Sequence, residues 1–288
     1  MTPREAFLRA CTLDVVVRKP GNVSLDAPGH GMHAAQFIAS AEVAADALCQ
    51  PGATVGRRIE AAVVATRATV GCNTNLGILL LCAPIACAAE AEHAELRPAL
   101  EAVLARLTRD DAAAAFRAIA LAQPAGLGTA PSQDVHDAPS VDLRAAMALA
   151  AERDRIARQY RDGFAELFDL AQPTLPSGFS LPSSVSLSSG ERPDAATVAA
   201  VQALYLLFLS TRPDSHIVRK HGEAVAQNVM SAAQRWRERG ADAPALDADP
   251  AFAAWDAALK ASGVNPGTTA DLTVATLMLA GLAPSRRP

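Results

Sequence analysis

The chain has 288 residues, 50% of them hydrophobic but only 4% aromatic, so it can bury a substantial core, built from Ala, Leu and Val on closely approaching helices rather than from large rings. A formal net charge of −4, with both signs scattered, offers no basic face to a phosphate backbone and argues against a nucleic-acid partner, while small anionic ligands stay open. Five cysteines, odd in number and without a C-x-x-C pair, indicate neither a disulfide framework nor a zinc site.

Apolar side chains at Phe7, Leu8, Cys11, Val15 and Val16 predict a helix over 3–17, stopped by Lys19-Pro20-Gly21. No apolar stretch of signal-peptide length opens the sequence, which predicts a cytoplasmic protein. Residues 22–32, rich in Gly, Pro, Asn, Ser and His, form a loop. Helices follow over 33–48 and from 55 to about 93, the second interrupted at 71–77, then over 96–107 and 110–122. Residues 124–140 are loop by composition, and Leu143, Met147, Ala150, Ile156, Tyr160, Phe164 and Phe168 predict one long amphipathic helix over 140–170.

Residues 171–193, rich in Pro, Ser and Gly, mark an exposed excursion or a boundary between two helical halves. Four more helices are predicted over 194–211, 217–239, 249–262 and 268–282. The longest apolar runs, Leu76 to Ala89 with Pro84 inside it and Ala195 to Ser210, fall short of the roughly 18–20 residues that span a bilayer, so no membrane association is expected. No strand pattern persists. The expectation is an all-α, multi-helix single globular domain with functional loops at helix ends.

Four polar segments break this pattern, and each has two readings. In Lys19-Pro20-Gly21-Asn22-Val23-Ser24, with His30 nearby, a lysine and free amides in a glycine turn can hold phosphate; the same residues also make a helix stop. Asn73, Thr74 and Asn75 are costly to bury unless something hydrogen-bonds them, either a ligand or the helix that begins near Leu76, with Gly77 permitting close packing. In the stretch from Asp214 to Gly222, an acid, two imidazoles and two cations suit a metal-nucleotide, or simply a capped helix with solvated cations. The turn Asn265-Pro266-Gly267-Thr268-Thr269-Ala270-Asp271 offers helix-start amides to an anion and Asp271 to magnesium, while Thr268 and Asp271 also form a capping pattern. Walker A, dinucleotide-fold, zincin and serine-hydrolase signatures are missing from the sequence.

In this order and at these spacings the segments resemble the triphosphoribosyl-dephospho-CoA synthase family, from about Cys11 to Leu282. Lys19-Pro20-Gly21 matches the family's P-K-P-G, Phe37 and Ser40 its F-x-x-S helix, and Asn73-Thr74 with Gly77 its N-T-x-x-G. Asp214 and the neighbourhood of Arg219 are similar to its D-T-N and R-x-G, and the stretch from Asn265 to Leu272 resembles its S-P-G-G-S-A-D-L. The resemblance implies an all-helical enzyme in which a ribose hydroxyl of 3′-dephospho-CoA attacks the anomeric carbon of ATP's ribose and adenine departs, with Mg2+ accompanying the ATP.

It further implies Asp214 and Asp271 as magnesium ligands, one of them also the base, and Lys19, Arg219 and Lys220 as phosphate holders. Asn73, Thr74 and Asn75 would orient ribose or base. Asn22, Ser24, His30, Gly77, His216, Asn265, Gly267, Thr268 and Thr269 complete the implied nucleotide- and phosphate-binding set. The sequence departs from the family at Gly31, which stands where G-A-H-x-D-M has its acid, at Asn75, which replaces the histidine of N-T-H, and at Gln133-Asp134-Val135-His136, where a glutamate-rich loop is reduced. The stretch from Arg153 to Tyr160 characterises a divergent branch. Such a branch admits an ATP-dependent enzyme of one-carbon, pterin-type cofactor assembly with a different acceptor, or a non-catalytic helical nucleotide-binding protein. An alanine-rich helical surface also admits a homodimer.

Overall fold

A computed structural model of the protein describes residues 1–91, 95–182, 192–239 and 245–283. Among these the chain is all-α, with thirteen α-helices and no strand. In chain order they are α1 (Pro3–Val16), α2 (Ala34–Leu48), α3 (Val55–Val70), α4 (Leu76–Ala88), α5 (Leu96–Leu104), α6 (Arg109–Ala122), α7 (Leu143–Ala150), α8 (Arg155–Arg161), α9 (Ala195–Thr211), α10 (Ser215–His221), α11 (Glu223–Arg237), α12 (Pro250–Ala261) and α13 (Gly267–Leu282).

Side-chain caps explain most of the starts. Thr2 with Glu5 and Thr108 with Asp111 form capping boxes for α1 and α6, and Asp142, Asp154, Asp194, Asp214 and Asp249 cap α7, α8, α9, α10 and α12. The interruption expected at 71–77 separates α3 from α4, beginning at Gly71 in a left-handed conformation.

Two expected helices are broken. The single helix predicted over 140–170 is instead α7 and α8, divided because the Asp154 carboxylate accepts the amides of Ile156 and Ala157 and starts a new helix. Beyond α8, Gly163 and Phe164 take φ of 63° and 58°, and the chain continues as a π-helical turn, Glu166–Ala171. The apolar periodicity survives both breaks because every piece packs on the same core. The helix predicted over 217–239 is likewise divided into α10 and α11 by Gly222, at φ 87°. Of the excursion predicted over 171–193, residues 183–191 lie outside the described residues.

The core divides into two apolar clusters, and α9 lies between them. Its Leu204, Leu207 and Phe208 join the larger cluster with α1, α4 and α13, while Tyr205, Leu206 and Leu209 join Ile217, Val229 and Phe252 in the smaller one. That is why α9 is apolar on all sides; each such buried leucine or phenylalanine is worth about 1.5–3 kcal/mol. Close helix approach through small residues is visible where Gly56 of α3 lies directly on the backbone of Asp111 and donates its amide to the Asp111 carboxylate at 2.8 Å. No single helix among the described residues is long and apolar enough to cross a membrane.

Candidate functional site

The four polar segments converge on the first turn of α13. Asp214 caps α10 through Oδ1, which accepts the amides of His216 at 2.9 Å and Ile217 at 3.1 Å, while Oδ2 accepts the Thr269 amide at 2.7 Å and hydroxyl at 2.8 Å. Those four donors use every lone-pair direction of a carboxylate that is 1% exposed. In this structure Asp214, expected as metal ligand or base, is the clamp that joins α10 to α13, and Thr269 is the other half of that clamp.

The first loop reaches the same turn from the other direction. Gly21, at φ 81°, presses on Pro266, where a Cβ would stand 2.8 Å from the ring. Asn22 donates to Asn265 Oδ1 at 3.1 Å and accepts from Lys19 at 2.9 Å. Lys19 is fully buried; it also donates to the Asp14 carbonyl and stands 2.9 Å from the Asp14 carboxylate. Two ammonium protons are thus hydrogen-bonded and the charge is paired with Asp14, so in this structure Lys19, expected to hold phosphate, acts as an internal strut and does not face open space. The signal was Asp14, the one acid in the apolar C-terminal half of α1. His30 holds the Gly21 carbonyl at 2.8 Å, and Ser24 is buried with its hydroxyl unpartnered.

The third approach is the start of α4. Asn75 stands at the cap of α4 without a side-chain cap bond, while Asn73 accepts the Leu76 amide at 3.1 Å; Thr74 donates to Ser40 at 2.6 Å, and Asn75 donates to Thr66 at 3.2 Å. Thr74 and Asn75 thus each make one internal side-chain hydrogen bond that helps to shape the segment. Gly77 lies against Asp271, whose carboxyl Oδ2 occupies the space a Cβ would need. Unlike Asp214, Asp271 has no hydrogen-bonding partner among the described residues. Burial, with Asp14 and Asp214 adding to it, pushes its carboxyl well above the usual carboxylate range, and Arg219 opposes the shift.

Around Asp271 stand the groups able to meet a ligand. The Thr268 hydroxyl is buried and unpartnered. The His216 ring lies beside Gly267, with Nδ1 3.4 Å from where a Cβ would be. Burial holds the imidazole below its usual value, with Arg219, Lys220 and His30 adding to the effect. Arg219 pairs with Asp154 at 2.5 Å, while Lys220 lies at the surface and reaches the Gly263 carbonyl at 3.4 Å. Asp154 and Arg155 were not among the sequence-derived candidates, although they lie in the Arg153–Tyr160 stretch. Arg155 donates its amide to Ser215 at 2.9 Å, which seats α8 against α10. Among the described residues no group of three or more His, Cys, Asp or Glu side chains is arranged to hold a metal ion.

The polar turns of this all-α chain thus meet at one helix start, around a half-buried carboxyl that has no hydrogen-bonding partner among the described residues. The chain belongs to the CitG family, ATP:dephospho-CoA triphosphoribosyl transferase, whose model matches residues 1–287. Its fold is similar to that of an Archaeoglobus fulgidus protein provisionally named a triphosphoribosyl-dephospho-CoA synthase, at a TM-score of 0.61 and 23% sequence identity over 87% of this chain and 99% of that one. No curated protein matches the sequence.

Proposed function

We propose that within this family's reaction Asp271 is the group that accepts the proton of the attacking hydroxyl, and that the acceptor is 3′-dephospho-CoA. The observation that carries this reading is the Asp271 carboxyl itself: raised in pKa, without a hydrogen bond, and set between Gly77 of α4 and the cations of α10. A carboxyl whose pKa is raised is a stronger base than an ordinary aspartate.

In the step, the acceptor oxygen forms a bond to the anomeric carbon of ATP's ribose as its proton passes to Asp271. The bond from that carbon to the purine nitrogen breaks, and its electron pair leaves with adenine, which takes up a proton. Positive charge on the sugar peaks in the transition state, and proton transfer to Asp271 leaves the attacking oxygen electron-rich enough to meet it. Arg219 and the amide and hydroxyl of Thr268, at the start of α13, are the donors for phosphate oxygens. Magnesium enters with ATP as part of the substrate. The protein supplies at most the Asp271 oxygens to it, which suits an ion that keeps most of its ligands as water and phosphate. ATP and dephospho-CoA as substrates fit a cytoplasmic setting.

The test is to incubate the purified protein with magnesium, ATP and 3′-dephospho-CoA and to follow free adenine by chromatography, with the acceptor omitted in a parallel sample. Adenine that needs the acceptor supports the reading. A second acceptor class, a pterin-type precursor, is favoured by one observation: Gly31, where the family's acid is lost, has open space on its Cβ side. It is supported if magnesium-ATP raises the melting temperature but dephospho-CoA yields no adenine. Neither adenine nor stabilisation by magnesium-ATP contradicts both readings.

A further inference from the structure

A cleft of about 300 Å3 opens between the entry to α8 and the turn that leads into α10. Four arginines line it, Arg153, Arg155, Arg158 and Arg212, and they fall into two pairs. Arg155 is nearly fully buried and committed to Glu166, the Phe208 carbonyl and Thr211; Arg158 is committed to the Ala151 carbonyl and Glu152. Arg153 and Arg212 are exposed, and among the described residues their side chains make no hydrogen bond or ion pair.

The acids on the same wall are already used. Asp154 holds Arg219 and the first amides of α8, Glu152 holds Arg158 and Arg161, and Glu223 accepts from Gln227 at 3.1 Å. What remains to meet a ligand is a pair of uncommitted guanidinium groups facing one concave space in which Asp154 and Glu152 are paired with arginines and Glu223 is the one carboxylate without a cation among the described residues. Planar forked donors in that setting match the oxygens of a phosphate chain.

We infer that this cleft is an oligophosphate-binding site, with Arg153 and Arg212 as its donors. Asp154 links the cleft to the site described above: it lines the cleft and pairs with Arg219 of α10. Two sources supply a phosphate chain, the triphosphate of ATP and the diphosphate of the acceptor. Assigning the site to a substrate of the transfer rests on the function proposed above; the anion site itself does not.

The experiment is calorimetric titration of inorganic tripolyphosphate, magnesium-ATP and dephospho-CoA, each separately, into the wild type, Arg153→Gln, Arg212→Gln and the double variant, with Arg235→Gln as a charge-matched control on the exposed face of α11. Both cleft side chains are exposed and unpaired, so melting temperatures without ligand stay at the wild-type value. Tripolyphosphate affinity falls about tenfold or more in the double variant and is unchanged in the control. The nucleotide that weakens in parallel identifies which chain the cleft holds. Tripolyphosphate affinity equal in the wild type and the folded variants, or undetectable in the wild type, overturns the inference. If adenine release is absent while tripolyphosphate binding depends on these arginines, the transfer reading fails and the cleft stands. Adenine release with unaltered tripolyphosphate binding gives the reverse.

Discussion

The Asp271 carboxyl occupies the place where a side chain on Gly77 would stand, so the first turn of α4 and the first turn of α13 touch without an intervening atom. Gly77 lies within a regular helix, so it is demanded by space rather than by backbone conformation. Gly77→Ala pushes the carboxyl, with the Ile156 side chain, out of position while leaving the helix intact. Its kcat for adenine release is expected to fall by about 10²-fold, the usual consequence of displacing a reacting group by an ångström, with an unchanged helical circular dichroism spectrum. An active Gly77→Ala enzyme places the reacting group elsewhere.

Asp214 is expected to behave as a clamp. Asp214→Ala strips the acceptor from the amides of His216, Ile217 and Thr269 at once and costs on the order of 3 kcal/mol of stability, measured by denaturant unfolding. Asp214→Asn keeps the Oδ1 side of the clamp and costs less. A stable Asp214→Ala protein whose only defect is in magnesium dependence would make Asp214 a metal ligand instead of a clamp.

The raised pKa of Asp271 fixes a sign for stability against pH. The folded chain holds this proton more tightly than the unfolded chain, whose aspartates titrate near about 4. The site's contribution to stability is complete below that value and is lost as pH rises through the raised folded value. Asn mimics the neutral form, so metal-free Asp271→Asn is expected to melt higher than the wild type near pH 8, the gap closing as pH falls toward about 4. Thermal unfolding across this range checks it; a constant gap contradicts the shift.

Lys19→Met leaves the buried Asp14 carboxylate without its cation, a change expected to cost about 3–5 kcal/mol. Because Lys19 meets no solvent, the affinity of the folded fraction for magnesium-ATP is expected to stay at the wild-type value in a titration under stabilising conditions. A large loss of ATP affinity with little loss of stability returns Lys19 to the phosphate site.

Much of the fold was legible because the helices carry their own signals: apolar residues at helical spacing and Thr or Asp at the start. The joints were less so. Nothing in the periodicity of Met147, Ile156, Tyr160 and Phe164 betrays the break at Asp154, since apolar positions on both sides face one core, and only the capping carboxylate decides it. Gly222 was visible as a breaker but lay inside a run that otherwise continues.

In the site, composition identified the polar turns but not their partners. Lys19 and Asp271 look equally available in sequence; one is neutralised by Asp14 five residues before it, and the other is left unpaired by a contact between helices far apart in the chain. Asp154 meets Arg219 across 65 positions, a pairing that only the tertiary fold creates.

The most direct test of the account is adenine release by the wild type and by Asp271→Asn, with magnesium-ATP binding measured on the same samples. The account predicts acceptor-dependent adenine from the wild type, none above background from Asp271→Asn, and folded protein that still binds magnesium-ATP in both. Release by Asp271→Asn at the wild-type rate would contradict the assignment of Asp271 as the group that takes the proton.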